Sequence, residues 1–228
     1  MSFTPASDLV NYETKRSFRK AFSFYKIKFK AEMKGDLDAL LHELRSIHDD
    51  FKLIPADEIG VADWVRWKCR CGCRGYGKHL NCPPYTPTPE KTRKLIKGYE
   101  KALIARFEDV KPNSDVPPRH LHHFLWDAIT KISDTMFEME RHAYLSGYYK
   151  AFAMDALPCS YCDPCIPEQD KPLDQAPKRF CKHQDRARPS MEACGIDVFK
   201  TVRKVGYEAE VFTSPYQEIT LFGLLLIE

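Results

Sequence analysis

Residues 159–165 read Cys-Ser-Tyr-Cys-Asp-Pro-Cys, and Cys181 follows sixteen positions after the last of these cysteines. Two-residue spacers place three thiolates on one tight loop facing a common centre, and a distant fourth thiolate can close the site. Residues 158–189 contain many prolines and few large aliphatic side chains, so a hydrophobic face cannot order them. We therefore predict that a metal centre organises this part of the chain.

The second cysteine group consists of four residues, Cys159, Cys162, Cys165 and Cys181. Four thiolates at these spacings match the needs of a 4Fe–4S cluster, although the bacterial ferredoxin run has its fourth cysteine much closer. Zinc is the alternative, since it also takes four thiolates, commonly as two separated C-x2-C pairs. Here the pairs overlap into a triplet, which favours the wider cluster, and disulfides or free thiols are the third possibility.

The first cysteine group lies upstream and also has four members, Cys69, Cys71, Cys73 and Cys82. Nearby glycines let the backbone wrap closely around a bulky centre. Two ligand sets remain open. Either Cys71 completes a four-cysteine site, or Cys69, Cys73 and Cys82 bind alone and leave one coordination position open for chemistry. Cys194 is either a small buried side chain or the missing ligand of this site.

Four basic residues surround the first cysteine group, namely Lys68, Arg70, Arg74 and Lys78. Positive charge favours the thiolate over the thiol and stabilises a more negative metal centre. The alternative is that these residues only solubilise the surface, as isolated surface charges usually do.

Hydrophobic periodicity indicates an α/β or α+β fold, a single domain with one mixed sheet of five or six strands and flanking helices. A helix is predicted after Gly35-Asp36, another from the Thr88-Pro89 cap to Gly98, and a long one from Leu121 to near Gly147. Strands are predicted at residues 51–55, 64–67, 102–107, 149–155, 208–212 and 219–227. Both cysteine groups are expected on loops that follow strands, at one end of the sheet.

Residues 1–34 are predicted to be a basic N-terminal strand or extension, followed by a cysteine-rich metal-binding α/β domain at 35–228. Residues 15–34 hold eight Lys or Arg against one Glu, interleaved with aromatic residues. Such a mixture can bind a nucleic acid strand. Alternation of aromatic residues with lysines at residues 25–30 instead favours a half-buried strand with a solvated lysine face, so we expect no nucleic acid partner.

The N-terminal residues contain no apolar segment of the kind found in export signals, which predicts a cytoplasmic location and reduced thiols. The longest apolar run, residues 219–227, is about half of what a membrane-spanning helix requires. Neither a membrane partner nor structural disulfides are therefore expected, and the oligomeric state is left open.

The combined motifs resemble a prokaryotic family found in anaerobes and methanogenic archaea, that of cysteine-rich predicted metal-binding proteins of unknown function. The resemblance runs from about Trp64 to the C-terminus and rests on the segments 68–85, 147–151, 159–165 and 188–198. It implies metal binding through Cys69, Cys73, Cys82 and the second cysteine group. In that family the position of Cys71 varies, which favours a three-cysteine first site, and no substrate is implied.

Three functions follow as hypotheses. The leading one is a redox protein in which one or two 4Fe–4S clusters pass electrons to a partner protein in anaerobic metabolism. The second is an enzyme whose open iron at the three-cysteine site acts on a small anionic substrate. The third is a zinc-stabilised module that binds RNA through residues 15–34.

Overall fold

A computed structural model describes residues 35–112, 125–169, 177–211 and 217–228 of the 228-residue chain. The predicted basic strand within residues 1–34 and the predicted start of the long helix at residues 121–124 lie outside the described part. Residues from Asp36 onward belong to one compact unit.

Within the described residues the sheet has four strands, and every pair of neighbours is antiparallel. The strands are β1 Phe51–Pro55, β2 Lys101–Val110, β3 Phe152–Met154 and β4 Ile219–Leu226, in the spatial order β1-β2-β4-β3. Leu225 is paired with Leu103 of β2 on one side and with Ala153 of β3 on the other. The C-terminal strand therefore occupies the interior of the sheet.

Five α-helices are present in the described residues, α1 Leu37–Leu44, α2 Asp63–Gly72, α3 Pro89–Ile96, α4 Trp126–Leu145 and α5 Val198–Lys204. Three of them begin at side-chain caps. Asp36 accepts a hydrogen bond from the backbone N–H of Asp38, Thr88 caps α3, and Asp197 caps α5. A short 3-10 turn, Glu192–Cys194, precedes α5.

Helices cover both faces of the sheet. Alternate residues of β2 and β4 point to opposite sides, so Leu103 and Leu225 face one core, while Ile104 and Leu224 face the other. The first core contains α1 and α4, and the second contains residues of α3, the 3-10 turn and α5. Gly223 allows α4 to approach closely, since a Cβ atom there would stand 2.5 Å from the Met136 sulfur.

The α+β prediction with a single domain is confirmed, but the described sheet is antiparallel, not mixed, and has four strands where the sequence suggested five or six. The position of β4 explains the absence of parallel pairs among the described strands. β2 and β3 run in the same direction, yet β4 lies between them and pairs with both in the antiparallel sense. Residues 208–211 form no strand, and residue 212 lies outside the described part.

The predicted strand at residues 64–67 is wrong, because these residues lie in α2. Only Val65 of this helix is buried, and the two tryptophans are largely exposed, Trp64 at 46% and Trp67 at 62%. A run of bulky residues therefore looked like a strand although its burial follows one helical face. Among the described helices, none combines the length and the hydropathy that a bilayer crossing requires.

Candidate metal centre

The C-terminal end of α2 carries most of the first cysteine group, on a helix and not on the loop that the sequence predicted. Cys69 and Cys73 are four positions apart, which places them on the same side, and the backbone N–H of Cys73 donates to the carbonyl of Cys69. Cys71 is about 200° around the helix from Cys69. The thiol of Cys71 is exposed and stands apart from its two neighbours in sequence.

Cys82 returns to this helix end through a tight loop. The Gly77 N–H donates to the Pro83 carbonyl at 2.8 Å, and the Cys82 N–H donates to the His79 carbonyl at 2.9 Å. Gly77 has a φ of 74°, in the left-handed region that glycine tolerates best. The Cys82 side chain is buried, and this burial is the main reason that the pKa of its thiol is raised well above the usual range.

The second cysteine group is tied to helix α4 by the side chains between its cysteines. The hydroxyls of Ser160 and Thr130 are 2.6 Å apart, and the Tyr161 hydroxyl donates to Asp134 Oδ1 at 2.7 Å. Burial raises the pKa of the Cys159 thiol to about 12, and the charges of Asp155, Cys181 and Cys165 add to this effect. The loop is thus anchored by hydrogen bonds that leave its thiols facing inward.

Electrostatic coupling shows that all four members of the second group lie near one another. The thiol pKa of Cys162 is raised first by burial and then by the charges of Cys165 and Cys181. Cys181 comes from a separate segment, so the chain folds back to bring it to the loop. The sequence spacing of the second cysteine group therefore corresponds to closeness in space.

The two cysteine groups are neighbours. After burial, the charges that raise the pKa of Cys82 come from Cys73 and Cys69 and also from Cys159 and Cys165 of the second group. Gly75 lies between the two groups. A Cβ atom there would be 3.6 Å from the Cys73 sulfur and 3.6 Å from the ring of Pro158, the residue before Cys159. The fold thus joins two segments that are far apart in sequence.

A partly buried ion pair holds the segment that follows the second group against α4. Arg188 makes a bidentate pair with Glu140, with Nη2 2.5 Å from Oε1 and Nε 2.8 Å from Oε2. Glu140 Oε2 also accepts from the backbone N–H of Ala153 in β3 at 2.7 Å. The Arg188 carbonyl in turn accepts from the Asn81 side chain, one residue before Cys82, at 2.9 Å. This network connects the sheet, α4 and both cysteine segments.

Cys194 occupies a different environment from the other cysteines. Only 1% of it is exposed, and it packs in the second hydrophobic core. Burial raises the pKa of its thiol to about 12, Arg66 acts in the opposite direction, and Glu192 adds to the increase. Arg66 of α2 holds the surrounding turn in place, since its Nη1 donates to the carbonyls of Pro87 and Ala193.

The donor set is that of a thiolate-bound metal centre, because its members are cysteine thiols. All nine cysteines are free thiols. Within the described ranges, no three Cys, His, Asp or Glu side chains stand close enough to hold a single metal ion.

A cavity of about 660 Å³ adjoins the first cysteine group, between α2 and the segment from Glu192 to Phe199. We call it the α2 cavity. Cys69, Cys71 and Cys73 all contribute to its lining. The remaining wall is largely apolar and includes Trp64 and Phe199.

The fold and these thiols define a cysteine-rich α+β protein with two adjacent clusters of potential metal ligands. Residues 52–227 match the family described as predicted metal-binding protein, DUF2284. Because the match covers more than half of the chain, the protein belongs to this family, as the motifs suggested. No curated protein and no solved structure matches the chain.

Sequence reasoning missed two charged residues beside the first group. Arg66 is the cation that lowers the pKa of Cys69, whereas the basic residues predicted for this role were Lys68, Arg70, Arg74 and Lys78. Arg66 precedes Cys69 by three positions, so a helical assignment of residues 63–72 would have placed both on one face. Glu192 raises the pKa of Cys69, and no feature of the sequence distinguishes it from other glutamates.

Proposed function

We propose that this protein is an iron–sulfur redox protein that holds two neighbouring 4Fe–4S clusters. The second cysteine group would bind one cluster, and Cys69, Cys73 and Cys82 would bind the other. The observation that carries the proposal is that the two groups are adjacent: Gly75 lies between Cys73 and Pro158, and the Cys82 thiol is buried. A cluster bound at either place supplies one-electron transfer.

The sequence pattern of the thiols favours a cluster over zinc. Cys159, Cys162 and Cys165 form an overlapping triplet with a distant fourth cysteine, whereas zinc sites commonly draw on two separate C-x2-C pairs. Burial raises the pKa of several of these thiols, so metal loading must release protons, and a strongly bound inorganic centre is needed to offset that cost.

The surroundings of the two groups suit electron transfer between them. The segments that carry them are held rigid by the Arg188–Glu140 pair and by the bonds of Ser160 and Tyr161 to α4. A rigid scaffold keeps reorganisation small when an electron arrives. The exposed side of α2, with Arg70 over the Trp67 ring at 5.8 Å, offers a basic and aromatic surface to an acidic redox partner. Free thiols fit a reducing compartment such as the cytoplasm.

Electron paramagnetic resonance of the anaerobically purified, reduced protein tests the two-cluster proposal. Two reduced clusters at neighbouring sites should give a broadened signal from spin–spin interaction. Cys162→Ser should leave a simpler signal from the first site, and Cys82→Ser should leave one from the second. Cys194→Ala is the matched control and should keep the full spectrum. Unchanged spectra in both ligand variants would refute the assignment.

A second candidate function is an enzyme with an open iron at the first site. The α2 cavity favours it, because a space large enough for a small molecule adjoins Cys69 and Cys73. Cys71→Ser distinguishes the two forms of the site. A variant that retains the first cluster supports three cysteine ligands with an open position. If the first cluster is lost, Cys71 is the fourth ligand and the open-site enzyme is excluded.

A zinc-stabilised RNA-binding module is the third candidate, and its basic segment lies outside the described residues. Retention of the full chain on a polyanion column at low salt, with zinc as the only bound metal, would favour it over both iron-based functions.

A further inference from the structure

The α2 cavity has the size and lining of a small-molecule site. Its volume of about 660 Å³ falls within the range of ligand pockets in proteins. Trp64 and Phe199 are aromatic side chains on facing elements, and each remains partly exposed, at 46% and 37%. Val65 and Ile196 are buried beneath them. A flat apolar group between the two rings would cover surface that the fold leaves in contact with water.

A carboxyl group in the wall of this cavity has unused hydrogen-bonding capacity. Glu192 lines the cavity, and its Oε2 is buried without a hydrogen-bond partner among the described residues. A buried acceptor of this kind costs free energy until a donor reaches it. The other acidic residue of the lining, Asp197, already accepts from the backbone N–H of Lys200 at 3.0 Å. Glu192 is therefore the polar group that a ligand would satisfy.

Charge at this position favours a cationic donor over an anion. Glu192 Oε2 lacks a donor, and an ammonium group is a donor, whereas a carboxylate ligand offers only acceptors. Lys68 also lines the cavity, but its ammonium lies 5.0 Å from the Trp64 ring centroid, at cation–π distance. Burial raises the pKa of the Glu192 carboxyl, so a nearby cation would stabilise its ionised form and a second anion would oppose it.

We propose that the α2 cavity binds a small amine whose flat apolar body lies between Trp64 and Phe199 and whose ammonium group pairs with Glu192. This replaces the small anionic substrate suggested by the basic residues of the sequence. That such an amine is a substrate rests on the enzyme function proposed above, in which the first site has an open iron. The binding of the amine does not require that function. The ligand would lie beside Cys69 and Cys73, where an open iron could reach it.

The test uses the full chain labelled with 5-fluorotryptophan and two probes of the same shape, 2-naphthylmethylamine and 2-naphthoate. Fluorine NMR separates the three tryptophans, and each resonance is assigned with a Trp→Phe variant. The amine should shift the Trp64 resonance and leave Trp67 unchanged, because Trp67 lies outside the cavity lining. The carboxylate should bind at least tenfold more weakly. The titration is run on metal-free and on iron-reconstituted protein.

Two variants complete the test. Glu192→Gln should weaken the amine about tenfold and improve the carboxylate, because it keeps the size of the side chain and removes its charge. Trp67→Phe is the matched control on the same helix and should change neither affinity. Equal affinities for both probes in the wild type, or no effect of Glu192→Gln, would overturn the proposal. Amine binding to the metal-free protein would confirm the site whatever the outcome for the iron function, whereas a failure to bind iron on reconstitution would count only against the iron function.

Discussion

Replacement of Glu140 by glutamine should destabilise the protein by about 3 kcal/mol. Glu140 and Arg188 are only 12% and 15% exposed, and they share two hydrogen bonds of 2.5 and 2.8 Å. Removing one partner of a buried pair leaves the other charge without compensation, at a typical cost of about 3–5 kcal/mol. We expect the lower end of that range for two reasons. Both side chains remain slightly exposed, and the amide oxygen of the glutamine can still accept the hydrogen bond from the Ala153 N–H.

Urea denaturation of the metal-free protein measures this effect, with the midpoint expected to fall and the slope to stay constant. Glu138→Gln is the matched control. Glu138 lies on the same helix and pairs with Arg141 at 3.7 Å, but both side chains are more than half exposed, so the change should be within about 0.5 kcal/mol. A loss equally small for Glu140→Gln would refute the view that this pair anchors the cysteine segments.

Two further predictions concern the sheet and its acid sensitivity. Gly223→Ala should destabilise the metal-free protein by about 1–3 kcal/mol in the same urea assay, because the new methyl group would clash with the Met136 sulfur. An unchanged denaturation midpoint would show that α4 does not pack closely against β4 at this position. Stability should also fall as the pH drops below about 4. Burial, the largest effect, raises the pKa of Asp50, but hydrogen bonds from Tyr207 and Arg106 outweigh it and lower the pKa overall. Its contribution is therefore present above the usual pKa of about 3.9 and lost as the pH falls through the lower folded-state value. In acid titrations followed by circular dichroism, Asp50→Asn should lose stability less steeply than the wild type as the pH falls. The control Asp57→Asn, at an exposed position, should behave as the wild type does. Identical curves for all three proteins would contradict the role assigned to Asp50.

Much of the fold follows from local sequence signals. The caps at Asp36 and Thr88 begin two helices as predicted, and the long apolar period forms α4 over Trp126–Leu145. These features depend on residues that are close together in the sequence, so a sequence pattern predicts them directly. The position of β4 between β2 and β3 depends on contacts between distant segments. A strand at the C-terminal end can pair with any strand edge that is still free, so the sequence does not predict which one it joins.

The cysteine spacing predicted which thiols belong together, but it did not reveal that the two groups are adjacent. That adjacency depends on Gly75 beside Pro158 and on the bond between Asn81 and the Arg188 carbonyl, two contacts between distant segments. The error at residues 64–67 had a local cause. Two exposed tryptophans raised the apparent strand propensity of a helix whose caps are weak, since Ala62 provides no side-chain cap.

Quantification of iron, zinc and acid-labile sulfide in the anaerobically purified full chain tests most directly whether each cysteine group holds an iron–sulfur cluster. We expect about eight iron ions and as many sulfides per chain when both sites are filled. Cys162→Ser should have about half of that content, and Cys194→Ala should have the full content. A wild-type protein that contains zinc without iron or sulfide would contradict the two-cluster assignment.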